Sequence, residues 1–257
     1  IYIYEGGGFA ALCGASVALV DVHGGLMRPE DVQLAIRKQA GSLSHYPDGT
    51  LVCVENTSNR GGGACYPQET LDEIAAVAKA NNCATHMDGA RVFNASVATK
   101  TPLNRMVRDY DSISICLSKG LGAPIGSVLV GSSTFISQAH RWRKMFGGGM
   151  RQAGMLAAAG LHALDHHVER MEEDHSRAVR LAKAIDQVEG FSVDLTTVET
   201  NMVYFDSTKS ASSIMDALAA NGIDVLDIGP NSCRIVVHLH VTDDDVNKVI
   251  ETFSTHL

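Results

Sequence analysis

The chain has 257 residues, 45% hydrophobic and 19% charged, and 21 Lys and Arg against 29 Asp and Glu leave a formal charge of −8. That length buries a full core, with one large domain and room for a smaller one, and the composition is that of an ordinary globular protein. No dense Lys/Arg run interrupts the acidic balance and no stretch approaches the about 18 consecutive apolar residues of a spanning helix, which excludes a nucleic-acid footprint and a membrane partner.

The chain opens in mid-strand style at Ile1 to Tyr4, without a methionine, which leaves room for a targeting segment ahead of it. Glycines 6–8 and 61–63 resemble anion cradles, but neither set has the full pattern of a nucleotide loop, and both read as turns. Residues 50–54 predict a buried strand that empties into Glu55, Asn56 and Thr57. After the glycine turn and Pro67, a helix is expected over 68–81, with Leu71, Ile74, Ala75 and Ala78 at helical spacing.

A strand over 84–87 runs into Asp88-Gly89-Ala90-Arg91, and another over 112–117 into Ser118-Lys119-Gly120, with a neighbour at 127–130. Helices follow over 133–145 and 151–188, the second read as either continuous or broken. Beyond Gly190 the units shorten: a strand near 202–205, a helix over 211–220, a strand over 234–241, and a last helix capped by Thr242 with Asp243, Asp244 and Asp245 in its first turn. The alternation predicts an α/β fold, a mostly parallel sheet flanked by helices in a large domain over 1–189, with a small C-terminal α+β domain over 190–257. The six cysteines show no paired spacing and read mostly as reduced, buried small hydrophobes of an intracellular protein.

Open α/β sheets present functional groups at the carboxyl ends of their strands. Three such ends carry Glu55-Asn56, Asp88 with Arg91, and Ser118-Lys119. A lone lysine after a strand is ordinarily a solvated residue, and Asp-Gly also marks plain turns; the joint arrangement carries the hypothesis. A pyridoxal-phosphate (PLP) enzyme needs this set. A neutral lysine amine condenses with the aldehyde, a carboxylate keeps a proton on the pyridine nitrogen, and an arginine grips the substrate carboxylate. Gly120, Gly122 and Gly126 around Pro124 allow close approach of the backbone.

The stretches HMDGARVFNASVA (86–98), SISICLSKGLGAPIGSVLVG (112–131) and HRWRKMFGGGMRQAGMLAAAGLHAL (140–164), with TNMVYF (200–205) and RIVVHLHV (234–241), resemble the low-specificity L-threonine aldolases. These belong to the β-eliminating-lyase branch of fold-type I PLP enzymes, and the resemblance covers nearly the whole chain in order. It implies aldol cleavage of threonine, allo-threonine and related β-hydroxy-α-amino acids to glycine and an aldehyde, by a cytoplasmic homo-oligomer built as a dimer of dimers. By the same resemblance Lys119 carries PLP as a Schiff base, Asp88 faces the pyridine nitrogen, and Arg91 and Arg234 position cofactor and substrate carboxylate. Lys144 and Arg151 match basic residues close to the site, Lys144 on the substrate side and Arg151 on the cofactor side. Ser118 is a candidate phosphate support, a plain strand-end serine being the alternative.

Two departures bear on this. The family has a preceding segment, with a phosphate cradle and a ring-stacking histidine, that the sequence does not contain. Where the family has Glu-Asn-Thr-His-Asn, this chain has Ser58 at the histidine position, and a serine is no base near neutral pH. β-Elimination at the same cofactor, and a catalytically incomplete chain retaining only assembly surfaces, are the competing readings. No metal is expected: His162 and His166 are a helical pair without a third ligand. His238 and His240 are expected to share a strand face in a structural role, and His86 either braces Asp88 or is an ordinary buried histidine.

Overall fold

The computed structural model describes residues 2, 4–37 and 44–257, so the strand-like reading of the first four residues lies partly outside the described residues, at Ile1 and Ile3. Short helices α1 (Gly8–Cys13) and α2 (Pro29–Ile36) come first. A sheet follows, built from β1 (Leu51–Glu55), β2 (Ala84–Asp88), β3 (Ser112–Cys116) and β4 (Ser127–Gly131) in that spatial order. Between its strands run α3 (Gln68–Ala80), α4 (Val92–Thr99) and α5 (Leu103–Met106). The pairs β1–β2 and β2–β3 are parallel, and β3–β4 is antiparallel. The connections carrying α3, α4 and α5 are what parallel neighbours require.

The first core lies under this sheet. Val52, Val54, Met87 and Ile113 point down from the strands onto Leu71, Ile74, Ala75 and Ala78 of α3. Those helix positions are i, i+3, i+4 and i+7, one stripe of a helix, and Leu71, Ile74 and Ala78 have no exposed surface at all. Helix α3 is also pinned from the side: Arg105 of α5 forms a two-pronged ion pair with Asp72, Nη1 to Oδ1 at 2.9 Å.

The second half contains α6 (Ser133–Met145), α7 (Gly154–His166), α8 (Met171–Ile185) and a sheet of β5 (Phe191–Ser192), β6 (Met202–Ser207), β7 (Leu226–Gly229) and β8 (Ser232–Val236). Helices α9 (Ala211–Ala219) and α10 (Asp243–His256) complete it. The sheet order is β5-β6-β8-β7 and every pair is antiparallel. Phe191, Phe205 and Phe253 meet edge to face at its centre, Phe253 lying 5.2 Å from Phe191 and 5.5 Å from Phe205. Ala178, Leu181, Ala182 and Ile185 of α8 belong to this core. No described helix is long and apolar enough to cross a membrane.

Three expectations are settled or corrected. The helical stretch over 151–188, read as continuous or broken, is broken into two helices. Its break lies at 167–170, where the His167 backbone N–H closes α7 on Ala163 and the acids Glu172, Glu173 and Asp174 open the first turn of α8. The strand expected over 234–241 ends at Val236, because Asn201 takes over the backbone of Val237, accepting its N–H at 2.9 Å and donating to its carbonyl at 2.8 Å. His238 and His240 therefore sit in a turn, their rings crossing at 5.8 Å, and share no strand face. All six cysteines are free; Cys65, Cys83 and Cys233 are buried as expected, whereas Cys13 and Cys53 are exposed. Cys13 ends a helix that buries nothing, and Cys53 lies on the side of β1 turned away from the core.

The stripe of α3 gives a direct test. Leu71→Ala is expected to lower unfolding free energy by about 2–5 kcal/mol in urea titration, and a loss below about 1 kcal/mol would mean that this helix is not the floor of the sheet.

Candidate active site

Parallel register brings the functional strand ends together. Glu55 pairs with Asp88, and Asp88 with Ser114, so the carboxyl ends of β1 and β2 stand in one row on one face with the middle of β3. The Asp88 carboxylate is steadied by its own turn, Oδ1 accepting from the Ala90 N–H at 3.1 Å. Only glycine fits next in that turn: a Cβ on Gly89 would stand 3.0 Å from Ile113 Cγ2 and 3.1 Å from the Ser114 carbonyl. The tight turn starts α4 at once and leaves Arg91 half-buried beside the row.

Past β3, Ser118 and Lys119 are exposed on a turn closed by Gly122 N–H to the Lys119 carbonyl at 2.8 Å. Gly120 is buried against Asn94, whose Oδ1 would lie 2.8 Å from an added Cβ. Asn94 in turn donates to His175 Nε2 at 3.1 Å, which fastens the lysine turn to α4 and α8. Gly122 has φ +72 and leaves only 3.0 Å for a Cβ against Leu239, so the turn also abuts the segment after β8.

Arg234 approaches from the second sheet. Its Nη1 donates to Asn59 Oδ1 at 2.8 Å, while its Nε is buried without a partner among the described residues. Burial and the nearby Arg234 lower the basicity of Arg91, against smaller opposing effects of Glu55, Tyr204 and Cys116. Burial, and to a lesser degree Asp88, push Glu55 above the usual carboxylate range, although the Asn59 N–H donates to its Oε1 at 3.2 Å. Arg91 and Arg234 influence each other electrostatically and Arg234 keeps an orphaned N–H, which suits an anion, and a planar carboxylate matches guanidinium donors. A primary amine after one strand, an acid ending the next and this arginine pair fit the demands of PLP and an amino-acid substrate.

Ser58 is nearly fully buried and committed, its Oγ accepting from the Gly61 N–H at 3.2 Å. A Cβ on Gly25 would lie only 2.2 Å from that oxygen, and one on Gly61 would lie 1.8 Å from the Gly24 carbonyl. The pocket around Ser58 therefore has no space for an imidazole unless the turn opens. His86 does not hydrogen-bond Asp88: its Nδ1 meets Ser112 Oγ at 2.8 Å and its Nε2 meets Ser114 Oγ at 3.4 Å, and burial makes it harder to protonate.

Lys144 and Arg151 are exposed at the end of α6 and in the loop after it, and Lys144 lies over Gly149, where a Cβ would be 2.7 Å from its Cδ. Among the described residues no hydrogen bond or ion pair joins either to the row of acids. His162 and His166 do stack at 4.5 Å, with His167 at 5.3 Å, yet no group of three ligands that could hold a metal exists among the described residues. Sequence reasoning missed Asn59 and Tyr204. Both stand in stretches already singled out, but nothing in their spacing says that they touch.

The model of the β-eliminating lyase family matches residues 1–208. The chain belongs to this family. Within the β-eliminating lyases it is 40% identical over 258 residues to the low-specificity L-threonine aldolase 1 of Arabidopsis thaliana, covering 98% of this chain and 72% of the relative. The low specificity L-threonine aldolase of Escherichia coli K12 is 37% identical over 249 residues, covering 96% and 72%. The threonine aldolase structure of Leishmania major superposes with a TM-score of 0.81 at 19% identity, covering 98% of this chain and 73% of that one, which gives the fold: that of fold-type I PLP enzymes.

Two tests follow from the local packing. Ser58→His is expected to cost about 1–3 kcal/mol of stability by overpacking, read from urea unfolding; an undiminished midpoint would show that the turn yields. Glu55 has a folded pKa raised by burial, so its contribution to stability is complete at low pH and lost as pH rises through the raised value. Glu55→Gln should accordingly match the wild type at about pH 4 and be at least as stable at about pH 7. A variant clearly less stable than the wild type at the higher pH would refute this.

Proposed function

We propose that this chain is the PLP-dependent carbon–carbon lyase that its family membership indicates, cleaving threonine, allo-threonine and related β-hydroxy-α-amino acids to glycine and an aldehyde. The observation that carries the residue roles is the single row of Glu55, Asp88 and Ser114, with Lys119 leaving the end of the same strand as Ser114. When bound, the cofactor supplies an electron sink for the pair released as the Cα–Cβ bond breaks.

The chain's own groups do the rest. Lys119 offers the amine that takes the cofactor and yields it to the substrate. Asp88, held by the Ala90 N–H, keeps a proton on the ring nitrogen. Arg91 and Arg234 would hold the substrate carboxylate and so orient the amino acid in the site, a positional contribution. Ser118 and Arg151 are assigned to the cofactor side, and Ser58 and Lys144 to the edge of the substrate site. Ser58 is placed there without acting as base, since a serine hydroxyl is no base near neutral pH; its oxygen accepts from the Gly61 N–H.

The reading extends to a cytoplasmic homo-oligomer, a dimer of dimers. Supporting assembly, Val128, Leu129 and Val130 of β4, Trp142 of α6 and Met155 of α7 are large apolar side chains that this chain leaves exposed. The chain is divided at 189/190 into a large PLP-binding unit and a small α+β unit whose core recruits α8.

Borohydride reduction of the protein equilibrated with PLP tests the central assignment. A covalent label mapped to Lys119, absent in Lys119→Ala, is expected; a label that persists in the variant overturns it. Product analysis with threonine should give glycine and acetaldehyde, whereas 2-oxobutyrate and ammonia would indicate elimination.

A further inference from the structure

We infer that Asn59 is the positioning residue of the carboxylate site: a neutral acceptor that aims Arg234 without neutralising it, and ties the loop after β1 to the second sheet. The inference rests on the reading of Arg234 as the substrate's carboxylate anchor.

Three groups of Asn59 touch three parts of the site. Its side-chain Oδ1 accepts from Arg234 Nη1 at 2.8 Å, its carbonyl accepts from the Tyr204 hydroxyl at 2.6 Å, and its N–H donates to Glu55 Oε1 at 3.2 Å. Tyr204 and Arg234 are themselves register partners on β6 and β8, so Asn59 grips both strands of one pair. The loop carrying it is stiff. Ser58 N–H bonds to the Ala64 carbonyl and Gly63 N–H to the Ser58 carbonyl, each at 2.9 Å, and Thr200 Oγ1 donates to the Gly63 carbonyl at 3.0 Å.

The choice of an amide is the informative part. A guanidinium placed for a ligand carboxylate needs its orientation fixed and its charge uncompensated. An aspartate at the same place would fix it equally well and would spend the charge internally in a bidentate pair. Asn59 gives direction only, no acid of this chain forms an ion pair with Arg234 among the described residues, and Arg234 Nε remains buried and unpartnered. Asn59 touches neither substrate nor cofactor in this role; it acts through Arg234.

The test measures binding, by calorimetry on the PLP-loaded protein, of glycine and of 1-amino-2-propanol, which is threonine without its carboxylate. Asn59→Ala should weaken glycine about tenfold, the loss of one charge-assisted hydrogen bond, and leave the amino alcohol unchanged. Asn59→Asp, the same shape with a competing charge, should weaken glycine more than Asn59→Ala does. Asn59→Asp keeps the test open should the alanine variant fail to fold. Unchanged glycine binding in Asn59→Ala, equal losses for both ligands, or wild-type binding in Asn59→Asp would each overturn the inference. Arg234→Ala separates the two levels: if it too binds glycine normally, the reading of Arg234 has failed; if it loses glycine while Asn59→Ala does not, only the role of Asn59 has.

Discussion

Two positive charges delivered from different sheets, on Arg91 and Arg234, repel each other, and the site has to accommodate that repulsion. Arg91 arrives on the first turn after β2, and Arg234 arrives on β8 of the antiparallel sheet. Like charges in partly buried surroundings oppose each other, and the lowered basicity of Arg91 reflects its burial first and the nearby Arg234 second. The chain relieves the strain only in part. Glu55 is close enough to favour the charge on Arg91, but burial and Asp88 raise its own pKa, which makes it an uncertain counter-ion as pH falls. What remains is an electrostatic demand that an anion from outside can meet, which supports the role proposed for the two arginines.

The same geometry explains why parallel strands matter here. In a parallel pair the carboxyl ends open on the same edge, so one register step aligns Glu55 with Asp88 and Asp88 with Ser114. Shifting β2 by one residue would turn Asp88 to the other face, among the apolar side chains Val54, Met87 and Ile113 that now pack on α3. Burying a carboxylate there without partners is far costlier than the register that exists. The apolar floor of the sheet thus specifies where the acid row lies, and packing on α3 is upstream of the chemistry.

Local periodicity made much of this readable before any coordinates. The stripe of α3, the short apolar runs of β1, β2 and β3, and the residues waiting at their ends are all patterns within a few positions of one another. The misses have equally physical causes. Helices α4 and α5 are short and follow turns directly, so they have too few residues for a period to show. The break between α7 and α8, which the sequence left open, carries a signal in the acidic first turn of Glu172, Glu173 and Asp174. The early end of β8 depends on Asn201, whose amide competes with the ladder from 36 positions away. Asn59 reaches Arg234 across 175 positions and Tyr204 across 145, and no spacing rule extends so far.

Ser58 shows how a departure from the family's pattern can be consistent at several levels. Taken alone, serine where relatives of this kind have histidine reads as loss of a functional group. In place, the small side chain is what lets Gly25 and Gly61 close on it, since either glycine with a Cβ would collide with the turn. The hydroxyl then supports the loop by accepting from Gly61, and that loop presents Asn59 to Arg234. Ser58 thus belongs to the support of the loop that holds Asn59 against Arg234. A serine is no base near neutral pH, so on the proposed reading recognition rests on the arginines assigned to the carboxylate rather than on this position.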